Sequence, residues 1–162
     1  MNEAQKAAFE TALQEVKDPE IPSISVLELG IITAMAFEGG KASITMTPTF
    51  SGCPAVDYMQ KDIHAAISTL DFVDEAIVNV DFSVPWTSNR ISEAGRKKLQ
   101  EFGLAAPARH NGTVELTDIE AAHCPNCGSP NTTLNTMFGP TLCRAIHRCF
   151  ECLEPFESFK PL

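Results

Sequence analysis

Ile31-Ile32-Thr33-Ala34-Met35-Ala36-Phe37-Glu38-Gly39-Gly40-Lys41-Ala42-Ser43-Ile44-Thr45-Met46-Thr47 decides the architecture of the first half of this chain. Two β-prone runs, 31–37 and 41–47, flank a Gly-Gly pair that tolerates positive φ, so the stretch predicts a β-hairpin. Before it, Phe9, Ala12, Leu13 and Val16 recur at offsets of three and four, one apolar face of a helix opened by Asn2 with Gln5 in capping-box position. Asp18-Pro19 stops that helix. After the hairpin, Val56, Met59, Ile63, Ile67 and Leu70 form a second helical stripe. Glu75 to Phe82 then alternates, with Ala76, Val78, Val80 and Phe82 on one face and Asn79 and Asp81 on the other. The order α-β-β-α-β predicts an α+β fold: a two-layer domain in which two helices pack on one face of a small three-stranded sheet.

A basic helix follows, from Ser92 through Arg96-Lys97-Lys98 to Phe102, with Gly103 at its C-terminal position. Trp86 and this basic turn offer a partner surface, although such a turn is more often simply solvated. Ala105 to Gly112 lacks apolar periodicity and reads as a linker. The predicted division is therefore 1–104 for the first domain, 105–119 for the linker and 120–162 for a small second domain.

Composition narrows the partners. Twelve Lys and Arg against 21 Asp and Glu give a net charge of −9, so binding to nucleic acid or an anionic membrane works against the field of the protein. Residues 1–119 hold 9 basic and 17 acidic side chains, and residues 120–162 hold 3 and 4. No apolar run is long enough for a membrane span, and the polar start of the chain is unlike a signal peptide, which predicts a cytoplasmic protein. Six cysteines in that setting are thiols or metal ligands rather than a disulfide framework.

Cys124-Pro125-Asn126-Cys127 and Cys149-Phe150-Glu151-Cys152 are two Cys-x-x-Cys turns separated by 21 residues, with β-prone segments between and after them. Each turn offers two thiolates, and two turns complete a tetrahedral shell, so this is a zinc-ribbon pattern. The same geometry accepts iron; zinc is the expectation. His123 and His147 lie beside the ligands as supporting or surface residues, and Cys143 as a small buried hydrophobe. A closed four-cysteine shell leaves no open position for substrate, so its expected role is structural.

Thr47-Pro48-Thr49-Phe50-Ser51-Gly52-Cys53-Pro54 links the hairpin to the second helix and places Cys53 at the N-cap, where unpaired N–H groups and the helix dipole favour a thiolate. There Cys53 can attack a disulfide, take a metal ion or an iron-sulfur cluster, form a thioester, or simply cap. No adjacent base completes a Cys-His nucleophile, since His64 lies nearly three turns away. The loop from Asp18 to Gly30 is shaped by two prolines and a glycine and carries Asp18, Glu20 and Glu28.

Asp18-Pro19-Glu20-Ile21-Pro22 with Leu29-Gly30-Ile31-Ile32, then Thr47-Pro48 and Cys53-Pro54, resembles the iron-sulfur cluster assembly domain (FSCA, MIP-type) that includes SufT and the cytosolic targeting factors. Val84-Pro85-Trp86-Thr87 and Ser92-Glu93-Ala94-Gly95-Arg96-Lys97-Lys98-Leu99, joined to the ribbon, are similar to the PaaD (PaaJ) branch, accessory proteins of the phenylacetyl-CoA oxygenase system of aerobic phenylacetate degradation. The resemblance implies a maturation factor for iron-sulfur or iron centres. Cys53 is then the cluster-handling thiol, with a transient cluster as its cargo and Asp18, Glu20 and Thr47 around it. The implied client is an oxygenase component, first the [2Fe-2S] reductase subunit and then the di-iron subunit, and a homodimer is compatible with the family. Glu28 stands where that family is expected to carry aspartate. A stoichiometric oxygenase subunit without metal transfer and a thiol oxidoreductase using Cys143 as resolving thiol are the competing readings.

Overall fold

Asn2 opens α1 (Glu3–Glu15) with both halves of the capping box in place: its side chain accepts from the Gln5 amide, and the Gln5 side chain accepts from the Asn2 amide. In this computed structural model, which describes residues 1–162, the hairpin is β1 (Ile32–Glu38) and β2 (Lys41–Met46), with Glu38 opposite Lys41. Gly39 and Gly40 have φ of 54° and 80°, the hand that a two-residue hairpin turn requires. Gly40 is also required sterically, because a Cβ there would meet the Asp74 carboxylate at 2.0 Å. Its carbonyl accepts from the amides of Asp74 and Glu75, which starts β3 (Glu75–Val80).

Between them, α2 (Val56–Ser68) buries Met59, Ile63 and Ile67 of the predicted stripe, while Val56 and Leu70 are half-buried and Leu70 lies just past the helix. β1 is antiparallel to β2 and β3 is parallel to it, giving the sheet order β1-β2-β3. Ala42, Ile44 and Met46 of β2 are buried, and Phe9 of α1, Phe37 of β1 and Phe72 meet as three rings with centroids 5.3 to 5.8 Å apart. The two-layer expectation holds. One position departs from it: Phe82 is 56% exposed, because β3 ends at Val80 and the Asp81 carboxylate takes the Ser83 amide to turn the chain outward.

The chain forms two compact units, Met1–Trp86 and Thr87–Leu162. In the second, Ser92 caps α3 (Glu93–Glu101) by accepting from the Gly95 amide. Gly103 follows at φ 91° and leads into a two-residue strand, β4 (Leu104–Ala105). The ribbon supplies β5 (Thr132–Thr136), β6 (Arg144–Cys149) and β7 (Pro155–Phe159), and β4 adds to it parallel to β7, in the order β4-β7-β6-β5. Because β4 pairs with β7, the second unit begins at Thr87 and takes in α3 and β4, ahead of the division at 104 expected from sequence.

The 105–119 segment is anchored rather than free. Ala105 belongs to β4, and α4 (Leu116–Glu120) begins within the segment. The Asn89 side chain donates to the His110 carbonyl (2.6 Å) and accepts from its amide (3.1 Å). The Arg96 guanidinium donates to the carbonyls of Ser88 and Pro107, so this member of the basic turn faces inward and is no partner surface.

Candidate functional site

Strand directions bring three connections to one end of the first sheet. Because β1 is antiparallel to β2, the start of β1 lies beside the end of β2, with Ile32 opposite Met46. Because β3 is parallel to β2, its end lies there too, with Val80 opposite Met46. The 16–31 loop, the 47–55 connection and the 81–86 segment therefore converge. The outer end of a parallel strand pair is where α/β units commonly place ligands.

Thr47 ties the three together. Its amide donates to the Ile31 carbonyl (2.8 Å) and its hydroxyl to the Asp81 carbonyl (2.9 Å), while the Asp81 amide donates to Met46 (2.9 Å). Trp86 is buried, and its indole N–H donates to the Leu29 carbonyl (3.0 Å). Trp86 is an internal clamp rather than the exposed partner surface that its sequence neighbourhood suggests.

The acidic residues of the 16–31 loop shape it. One Asp18 oxygen accepts from the amides of Glu20 (2.8 Å) and Ile21 (2.9 Å), an aspartate-led turn. Glu28 is buried; its carboxylate accepts from the Ser25 amide (2.9 Å) and its own amide donates to the Ser25 hydroxyl (3.1 Å). This capping box opens a single helical turn that ends at Gly30, φ 68°. Ser25 has no place among the residues expected from sequence, although Ser-x-x-Glu is a legible signal for its role. The Glu20 side chain is half-buried on the same loop.

Cys53 is half-buried in the 47–55 connection. It is not the N-cap of α2: the helix begins at Val56, and the capping position falls on Ala55, which provides no side-chain hydrogen bond. The reason is the turn before it, in which the Cys53 amide donates to Phe50 (3.1 Å) and the Cys53 carbonyl accepts from Val56 (3.3 Å). The thiol stands one turn ahead of the helix. His64 is exposed in mid-helix.

The second constellation is the four-cysteine cluster. The sulfurs of Cys124, Cys127, Cys149 and Cys152 all lie within 4.8 Å of one another, and the Cys124–Cys152 and Cys127–Cys149 pairs are 3.6 Å apart. A tetrahedral ion bound at about 2.3 Å needs sulfurs about 3.8 Å apart, so the donor set and its spacing fit zinc. Amide hydrogen bonds from Cys152 and Glu151 lower the Cys149 thiol to about 7. The Glu154 amide favours the Cys152 thiolate as well, yet burial and the neighbouring sulfurs outweigh it and push that thiol up to about 12. Without an ion, thiolates crowd one another; a cation removes the conflict.

His123 is exposed beside the cluster. His147 is fully buried instead of at the surface: its Nε2 shares a 2.9 Å hydrogen bond with the Ser158 hydroxyl, and its ring stacks on Phe156 with centroids 5.3 Å apart. Burial lowers its pKa. Cys143 is half-buried, with its sulfur 3.2 Å from the Thr141 hydroxyl, and takes no part in the cluster.

Comparison with known proteins agrees with both halves. Residues 6–85 match the family described as iron-sulfur cluster assembly protein, and residues 108–160 match the PaaD zinc beta ribbon domain. An Escherichia coli (strain K12) protein named as a subunit of 1,2-phenylacetyl-CoA epoxidase is 36% identical over 91% of this chain and 88% of its own length. The chain belongs to the PaaD family. Outside that family's ribbon, the Fe-S protein maturation auxiliary factor YitW of Bacillus subtilis (strain 168) is 32% identical over 61% of this chain and 97% of its own. The crystal structure of a DUF59 domain from Bacillus anthracis superposes with a TM-score of 0.56 at 33% identity, covering 60% of this chain and 92% of that one. The PaaD arrangement is thus an assembly-type α+β domain followed by a four-cysteine ribbon.

Proposed function

We propose that this protein is an accessory factor that helps to install an iron-sulfur or iron centre in phenylacetyl-CoA epoxidase. The observation that carries the reading is the convergence of three connections, with a half-buried thiol, at one end of the first sheet of a PaaD-family chain. Cys53 supplies the sulfur ligand that holds the cargo in transit. Asp18 acts through the loop it organises, and Glu20 lies on the same turn. Thr47 is buried with its hydroxyl committed to Asp81, so it positions the end of β2 rather than touching cargo. Cys124, Cys127, Cys149 and Cys152 hold a zinc ion, whose chemistry here is structural because four thiolates fill its shell.

The client named by the chemistry is the component that carries a cysteine-ligated cluster, the [2Fe-2S] reductase, ahead of the di-iron subunit. The experiment deletes the gene and measures iron and acid-labile sulfide in each epoxidase component. One component should lose its metal and regain it with the wild-type gene. If all components stay fully metallated while the complex fails to assemble, the stoichiometric-subunit reading, favoured by the name of the Escherichia coli relative, replaces this one.

A further inference from the structure

Six large apolar side chains are exposed in the first unit, and four of them stand at the Cys53 end of the sheet. Phe50 belongs to the 47–55 connection and Tyr58 to the first turn of α2, while Phe82 and Val84 lie on the 81–86 segment. Tyr58 is 66% exposed. Phe82 points outward because the Asp81 turn carries it off the strand, and Val84 follows it. Scattered single apolar residues are ordinary on a protein surface, but three exposed aromatic rings and a valine on the segments that meet at one end of a sheet make that end a candidate interaction site.

Charge selects the occupant. Residues 1–86 hold 4 Lys and Arg against 13 Asp and Glu, net −9, whereas residues 87–162 hold 8 of each, net zero. All of the chain's net charge therefore sits on the unit that carries the apolar rim, and Asp57 and the half-buried Asp81 stand among the rim residues. A second copy of the chain would set another unit of net −9 against this one, and nucleic acid would be repelled in the same way. We propose that this rim docks a client protein through an apolar patch flanked by basic side chains, setting the client's metal site against Cys53. The proposal rests on the accessory-factor reading and names the chemistry of its partner.

The test uses the full-length, metal-loaded protein and each purified, metal-free epoxidase component as an immobilised probe. One component should bind. Phe82→Asp and Val84→Asp should each weaken that binding about tenfold or more, since single apolar anchors commonly carry that share of an interface. Asp57→Lys should weaken it too, and raising salt from about 50 to 500 mM should do so about tenfold, as expected for unlike charges. Ribbon metal content and Trp86 fluorescence report that each variant is folded.

Cys53→Ser keeps the rim and should bind within about twofold of wild type while failing to load metal. Normal loading by Cys53→Ser would sink the thiol mechanism and leave docking intact, so the two failures are distinct. Four results overturn the docking proposal: no component binds, Phe82→Asp and Val84→Asp bind normally, binding ignores salt, or sedimentation shows a dimer of this chain that Phe82→Asp abolishes.

Discussion

Trp86 is the chain's one tryptophan, and its indole closes the 81–86 segment onto the Leu29 carbonyl. Trp86→Phe keeps most of the buried ring but leaves that carbonyl without its donor, and should cost about 1–3 kcal/mol. Trp86→Ala adds a cavity and should cost about 3–5 kcal/mol, read by denaturant melts of the first unit. Cys53→Ser behaves differently. With Ala55 in the capping position and the turn ahead of it held by the backbone bonds of Cys53 to Phe50 and Val56, the near-isosteric serine should leave the melting curve within about one degree of wild type while support of the epoxidase is lost. A third residue-scale prediction concerns Glu93, whose carboxyl is held below its ordinary range by a hydrogen bond from Arg109 and by that side chain's charge. A lowered carboxylate pKa stabilises above the unfolded value, about 4.3, and the contribution is lost as pH falls through the lower folded one. The NMR shifts of Arg109 and His110 should therefore move in acid below about pH 4.3, and Glu93→Gln should remove that titration.

At the scale of elements, a metal ion held by the four cysteines should draw the two knuckles together and so support the ribbon's sheet. Stripping the metal with a chelator should abolish the dispersed NMR signals of β5, β6 and β7, and those of β4 with them, while α1, α2 and the first sheet keep theirs. Leu104, buried in β4, should report the same coupling: Leu104→Ala should cost about 2–5 kcal/mol and speed metal release to a coloured chelator. What the sequence made legible follows from where the signal is local. Phe9 and Leu13, the Gly39-Gly40 turn and the Met59-Ile63-Ile67 stripe are written in spacing over a few residues, and so are the two Cys-x-x-Cys turns. β4 is only two residues long and pairs with a strand about fifty residues away, so no window around Leu104 contains its partner. The anchoring of 105–112 was hidden for the same reason, since it runs through side-chain bonds from Asn89 and Arg96. Cys53 missed the capping position because the turn from Phe50 to Val56 adds residues before the helix that propensity does not reveal.

For the whole molecule, the dividing point between units has an experimental meaning. A fragment of residues 87–162 contains every strand of the second sheet, whereas 120–162 lacks β4 and α3. The longer fragment should bind one metal ion and give a cooperative melt. The shorter should bind more weakly and melt over a broad range, because about forty residues bury little core of their own. Calorimetry with and without chelator distinguishes the two. No helix in either unit is long and apolar enough to cross a membrane.

The parallel pairing of β4 with β7 also sets an order of events on the ribosome. Residues 1–86 can close as soon as Trp86 has cleared the exit tunnel, because every strand and helix of that unit precedes it in the chain. Leu104 must wait: its partner Glu157 is made about fifty residues later, which at roughly 5–20 residues per second is a delay of some three to ten seconds. Throughout that interval the nascent chain presents a finished Cys53 end and an open pair of knuckles. The two halves of this protein therefore mature at different times, and the cell must supply the ribbon's ion last.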